Sequence, residues 1–351
     1  MTTATARPPA STEIRMTALN ATRGANFWSL RPVTRMDLVV GAYDALSSAE
    51  VPGVRERLVA TMPGLIEHRC SIGERGGFVL RLRRGTYAPH IIEHVALELQ
   101  TMMGHDVGYG RTRGGDVEGE YTLVFEHAHE QVGLRAAALA LETVQQAFDG
   151  SLTSVDSAVA ELRAIAETSD TPPLLHRVLC GITGGDGRAE AQRLLRDRLD
   201  DPAALVIDVA PNYLLQAGMP YARSRMAIIL DAELVDVPER YREEERATRL
   251  VNIVADAVER DGMVVCPAKA WEIQDYARDS DCRIAVFSTS DDISRRDAKL
   301  ARAIGRVRGG RIVVEGCGDD EDAGPLDPAI APGPQVAAAL AAATLITECG
   351  R

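Results

Sequence analysis

Aromatic side chains are scarce in this chain, with Phe, Trp and Tyr together making up 4% of 351 residues. The interior must therefore be built mainly from aliphatic side chains, which suits helices layered on sheets. A basic surplus is missing too, since the net charge is −12. That balance argues against a general nucleic-acid or anionic-membrane surface, because both need a cationic footprint, and neither partner is expected. The cysteines, at positions 70, 180, 266, 282, 317 and 349, include no C-x-x-C pair. Neither a zinc ribbon nor a disulfide framework is implied, and a reducing cytoplasm suits the chain best. Met1–Arg15 has no apolar centre, unlike a secretory signal, and residues 1–16 read as a disordered tail. The longest apolar run, Val336 to Ile346, is too short to span a bilayer.

What is present has the rhythm of two domains, as the length favours. Asn26 to Val40 alternates like a strand or strand pair, and Gly77 to Arg83, with Phe78, Leu80 and Leu82 against Val79, Arg81 and Arg83, predicts another strand. A helix over Tyr87–Met103, a Gly-rich loop over Gly104–Gly119, a strand at Tyr121–Glu126 and a helix at Glu130–Phe148 follow. Gly150–Ser154 has the composition of a linker, so the first domain is expected to close near residue 150. Beyond it come a helix over 155–167, then strands at Ala204–Ala210, Arg225–Leu230, Met263–Cys266, Arg283–Phe287 and Arg311–Val314. A charged helix over Glu239–Arg260 lies among them. Gly318 to Pro334 reads as an acidic solvated loop. The expected fold class is α/β: a small N-terminal α/β domain at 17–150 and a second, doubly wound, mostly parallel domain at 151–351.

His90-Ile91-Ile92-Glu93-His94 is H-x-x-E-H, the inverted zincin pattern, and it lies on the expected helix. Histidines at i and i+4 project from one face about a turn apart, as two imidazoles gripping one metal ion require. Glu93 stands beside them, placed to take a proton from metal-bound water. The plainer alternative is a pair of helix histidines in ordinary polar contacts.

The first domain resembles the N-terminal domain of cyanophycin synthetases. The resemblance rests on Arg23-Gly24-Ala25-Asn26-Phe27-Trp28-Ser29-Leu30-Arg31, Glu67-His68-Arg69-Cys70-Ser71, Arg75-Gly76-Gly77-Phe78, the helix from His90 to Gln100, Val107-Gly108-Tyr109-Gly110-Arg111-Thr112-Arg113, and Val124-Phe125-Glu126. It implies a domain that holds a poly-aspartate chain carrying arginine, and in some members one that resembles a metallopeptidase. The second half resembles a truncated Mur-ligase-like domain through Arg193–Ala210 and Ala257–Val265. It departs from that family at Gly181-Ile182-Thr183-Gly184-Gly185-Asp186-Gly187-Arg188, which keeps the phosphate-loop glycines and lacks the Lys-Thr ending. The ATP-grasp domain expected between the halves is absent as well, so ATP-driven ligation by this chain alone is not expected.

A zincin site needs a third protein ligand. Glu126, at a strand end within the resemblance, is the first choice and Glu98, at i+4 from His94, the rival; Glu98 could instead fix an imidazole tautomer. His127 and His129 are also near in sequence. Between positions 69 and 113 seven arginines face four acidic residues, a local excess suited to carboxylate-bearing substrates or, equally, a solvated strand face. The reading these residues support is a metal-dependent peptidase or amidohydrolase acting on an aspartate- and arginine-containing peptide or related amide. His90, His94 and Glu126 would hold Zn²⁺, Glu93 would be the base, and Arg75, Arg111 and Arg113 would bind substrate. The alternatives are a non-catalytic peptide-binding or assembly partner of a ligase and a ligase subunit in a natural-product pathway. A homo-oligomer or a ligase is the expected protein partner.

Overall fold

The computed structural model describes residues 14–170, 173–317 and 321–349. Most of the expected tail lies outside them, but Ile14 is buried and a strand begins at Arg15. The described residues form two compact units, one from 14–22 and 31–170, the other from 23–30, 173–317 and 321–349.

The first unit contains β1 (Arg15–Thr22), β2 (Val33–Val39), α1 (Val54–Thr61), α2 (Gly77–Arg84), α3 (Ala88–Met102), β3 (Gly110–Gly114), β4 (Glu120–Glu126), α4 (Glu130–Asp149) and α5 (Asp156–Thr168). Its four strands form an antiparallel sheet in the order β1-β2-β4-β3. Helices pack on that sheet around Met36, Leu38, Ile91, Ile92, Val95, Leu99, Leu123, Phe125 and Val144, all at most 1% exposed. Each such aliphatic side chain contributes about 1.5–3 kcal/mol by leaving water. α3 starts with Pro89 in its first turn, where a missing N–H costs nothing, and α4 ends on Gly150 at φ 92°.

Three expectations change here. Gly77–Arg84 is helix α2, not a strand: Phe78 and Leu82 are buried one helical turn apart, a spacing that also satisfies strand alternation. The Gly-rich stretch after α3 holds the edge strand β3. Gly150–Ser154 does not close the domain, because Leu152, Val155, Val159 and Leu162 of the following segment join the first core. The first unit therefore runs on past α5.

The second unit contains β5 (Leu175–Thr183), α6 (Arg188–Leu199), β6 (Val206–Asp208), α7 (Pro211–Ala217), β7 (Tyr221–Ile229), α8 (Glu244–Asp256), β8 (Val258–Pro267), α9 (Trp271–Asp279), β9 (Arg283–Phe287), α10 (Arg295–Leu300), β10 (Ala303–Arg308), β11 (Arg311–Glu315), β12 (Glu321–Pro325) and α11 (Pro332–Cys349). Its eight-stranded sheet has the order β12-β11-β10-β9-β8-β7-β5-β6, parallel from β6 to β10 and antiparallel beyond. α6 and the Ala-rich α11 share a core with alternate strand residues such as Ile182, Ile228 and Val265. The α/β class, with a doubly wound second half, stands. Part of the expected acidic loop is instead strand β12, and the charged helix gives way to β8 at Val258. No helix among the described residues is long and apolar enough to cross a membrane.

Candidate functional site

α3 forms one wall of a cleft of ≈ 920 Å³ in the first unit. His90, Glu93, His94, Leu97 and Glu98 line it from the helix, His68, Arg69 and Cys70 from the turn before α2, and Tyr109 to Thr112 from β3 and its approach. α2 supplies Arg81 at the rim and Phe78 beneath it. The Phe78 ring stacks on His94 with centroids 3.9 Å apart and planes 21° apart, which fixes that imidazole.

A relay of hydrogen bonds sets the tautomers. His68 Nε2 lies 3.0 Å from Glu98 Oε2, and His68 Nδ1 lies 2.8 Å from His94 Nδ1. With both rings neutral, His68 donates to the carboxylate, so His94 must donate through Nδ1 and keep its Nε2 lone pair free. Burial, with His90 and His68 adjacent, holds His94 far below the usual histidine range, so it stays neutral. His90 Nδ1 lies 2.8 Å from Thr86 Oγ1 and its Nε2 lies 3.3 Å from Cys70 Sγ. Burial, then the nearby Arg81 charge, pushes the His90 pKa down to about 4.

Glu93 Oε2 accepts from the Thr112 hydroxyl at 2.5 Å. Burial raises its pKa to about 7, against the lowering effect of that hydrogen bond. A Cβ at Gly110 would fall 2.5 Å from Glu93 Oε1, so a larger residue there would displace that carboxylate.

The donor atoms of Cys70, His90 and His94 lie within 4.8 Å of one another. Two imidazoles and a thiolate suit a borderline-soft divalent ion in a tetrahedral shell with one open position. The expected third ligand, Glu126, is elsewhere. Its Oε2 accepts from the amides of Gly108 and Tyr109, both at 3.1 Å, with Arg31 at 3.8 Å. A carboxylate at the end of β4 finds unpaired loop amides beside it, and they hold it away from the histidines. Glu98, the rival, does fix a tautomer, but through His68. His127 hydrogen-bonds Thr34, and His129 caps α4, so neither joins the site.

Of the expected substrate arginines, Arg111 lines the cleft, whereas Arg75 pairs with Glu67 at 2.6 Å and lines a separate groove with Arg55 and Arg83. Arg113 is exposed further along β3, outside the cleft lining. The sequence reading missed His68, Cys70 and Thr112 as site residues, and it had the rim residues Arg69 and Arg81 within the arginine excess between positions 69 and 113. His68, Arg69 and Cys70 stood in one of the words that carried the family resemblance.

In the second unit the 184–187 loop joins β5 to α6, as a phosphate loop does. Part of its polar complement is already engaged. The Gly185 amide donates to Asp231 Oδ1 at 2.8 Å, and Arg188 donates to Gly184 O at 2.6 Å and to Asp208 Oδ1 at 3.0 Å.

An α/β domain whose helix-and-edge-strand cleft carries H-x-x-E-H is the class these features define. Residues 35–149 match the family described as the cyanophycin synthase-like N-terminal domain. Curated relatives include the cyanophycin synthetase of Synechocystis sp., 39% identical over 184 residues, which are 50% of this chain and 20% of that protein. The cyanophycin synthetase of Crocosphaera subtropica is 44% identical over 132 residues, 36% of this chain and 15% of that protein. That of Trichormus variabilis is 42% identical over 140 residues, 39% of this chain and 15% of that protein. The chain thus spans a fifth or less of the length of these relatives.

These names correct the functional expectation. The relatives are synthetases, enzymes that join rather than cleave, so the reading of the first unit as a zinc-dependent peptidase or amidohydrolase is overturned. The names of these relatives agree better with the alternative reading, a partner of a ligase.

Proposed function

We propose that this chain is a peptide-holding partner of a ligase, and that its first unit grips a chain bearing aspartyl carboxylates. The observation that carries this reading is the charge arrangement of the cleft. Each of its carboxylates has a partner within the unit: Glu67 with Arg75, Glu98 with His68, Glu93 with Thr112. Arg69, Arg81 and Arg111 line the same cleft with no acidic partner within 4.0 Å among the described residues. Guanidinium groups so placed bind carboxylates bidentately. Kinship with proteins named cyanophycin synthetase supports a peptide of that chemistry as the ligand. The 184–187 loop, which lacks the Lys-Thr ending and whose Gly185 amide is engaged by Asp231, supports ATP activation by a partner rather than by this chain.

Calorimetry of the full chain with a capped tetra-aspartate peptide and its tetra-asparagine counterpart tests the proposal. The acidic peptide should bind at least about tenfold more tightly, the worth of one charge-assisted hydrogen bond. Equal affinities, or no binding of either, would overturn it. A divalent ion at Cys70, His90 and His94 remains a proposal independent of hydrolysis. Wild type should carry about one ion per chain and Cys70→Ala should lose it, and equal contents would remove the ion from the account.

A further inference from the structure

β3 is the outermost strand of its sheet, and its pairing with β4 determines which main-chain groups are free. The Glu126 amide donates to Tyr109 O at 2.8 Å and the Gly115 amide to Glu120 O at 2.6 Å. Both pairs belong to the same antiparallel register, which matches Gly110 with Phe125 and Thr112 with Leu123. Hydrogen-bonded pairs alternate along such a ladder. Residues 109, 111, 113 and 115 therefore turn their N–H and C=O groups toward β4, and Gly110, Thr112 and Gly114 turn theirs outward. Among the described residues no strand pairs with that outer side.

Tyr109, Gly110, Arg111 and Thr112 line the ≈ 920 Å³ cleft opposite His90, Glu93 and His94 of α3. On the helix-facing side the edge carries few side chains of its own, and Glu93 of α3 lies against Gly110. A Cβ at Gly108 or Gly114 would meet nothing within 4 Å, and Thr112, the one side chain between Gly110 and Gly114 on that face, turns its hydroxyl to Glu93. Natural sheets usually blunt an exposed edge by covering it, bulging it or making it very short. Here it forms the wall of a cavity that has unpartnered guanidinium groups.

We infer that the ligand peptide binds as an added strand: an extended acidic peptide pairs its backbone with the outward N–H and C=O groups of Gly110 and Thr112, and so lies along the cleft between β3 and α3. This rests on the proposed peptide-holding function and specifies how the peptide is held. Main-chain pairing supplies affinity that is indifferent to side chains. Alternate ligand side chains then point to opposite faces, so every second carboxylate can reach the arginines at the rim. The required occupant is a peptide with free backbone amides in extended form, and a compact amino-acid amide would not meet both Gly110 and Thr112.

The test uses the full chain and the tetra-aspartate peptide, with hydrogen exchange and calorimetry. On peptide binding the Thr112 amide should gain protection. Thr112→Pro removes an outward N–H without touching the ladder to β4, and proline is tolerated at such edge positions. Thr112→Val keeps that N–H and loses only the hydroxyl. Thr112→Pro should raise the peptide Kd about fivefold above that of Thr112→Val, the effect of one net hydrogen bond. A tetra-aspartate peptide N-methylated at alternate residues should bind wild type correspondingly worse than its parent. If the peptide binds but the Thr112 amide gains no protection and N-methylation changes nothing, strand addition is wrong and the peptide-holding reading survives. If no peptide binds, both fall.

Discussion

Removing the Glu126 carboxylate separates two roles that the sequence alone could not. Its Oε2 holds the amides of Gly108 and Tyr109 at 3.1 Å each, and the residue is 7% exposed. Hydrogen bonds to a charged acceptor contribute about 1.5–3 kcal/mol each. Two that share one oxygen are worth less than twice that, and about 3 kcal/mol is a fair local total. Glu126→Ala should therefore release the turn that leads into β3, with Gly108 and Tyr109 amides exchanging about a hundredfold faster, since 1.36 kcal/mol is a factor of ten. Amides in α4, on the far side of β4 in sequence, should keep their rates, because local opening leaves the rest of the unit folded. Metal content should not change, because the oxygen is engaged with loop amides and lies outside the Cys70, His90, His94 group. Unchanged exchange at Gly108 and Tyr109, or loss of bound metal with the turn intact, would refute this assignment and restore Glu126 as a ligand.

Further outcomes follow from the packing and the charges. Ile92→Ala empties a fully buried position in α3 and should cost about 2–5 kcal/mol in chemical unfolding of the first unit; a cost below about 1 kcal/mol would mean that the helix is not packed as described. ATP with Mg²⁺ should give no calorimetric signal with the full chain, because the 184–187 loop lacks the Lys-Thr ending and Asp231 engages its Gly185 amide; micromolar binding would contradict this. Asp256 is held above the usual carboxylate range by burial, with Tyr276 and Ser280 hydrogen bonds opposing the shift. A raised carboxyl pKa favours the protonated folded state, so this stabilisation is present at low pH and is lost as pH rises through the folded value. Asp256→Asn should then stabilise the second unit at pH 8 relative to wild type and gain less in acid; urea midpoints showing the same difference at both pH values would contradict it.

The helix bearing H-x-x-E-H was legible because a long, largely apolar run without glycine, with a proline in its first turn, has few other conformations. α2 was not, since Phe78, Leu80 and Leu82 fit a strand while Phe78 and Leu82 also fit one helical face. Cys70 left no local signal as a site residue: it sits on a short turn at φ 54°, and only tertiary folding brings it to His90. Glu126 was misplaced because a strand end indicates the direction of the chain but not which neighbouring amides will claim the side chain. The loss of the Lys-Thr ending from the 184–187 loop was visible in the sequence. That Asp231, from beyond β7, engages the Gly185 amide was not.

The most direct test of the central claim is the affinity of the tetra-aspartate peptide for wild type and for a variant combining Arg69→Ala, Arg81→Ala and Arg111→Ala, each at low and high salt. The account predicts that wild-type binding weakens with salt, since exposed charges are screened over about 10 Å at 0.1 M ionic strength, and that the variant binds at least about a hundredfold more weakly with a flatter salt dependence. Equal affinity and equal salt dependence in the two proteins would contradict the claim that this cleft holds an acidic peptide.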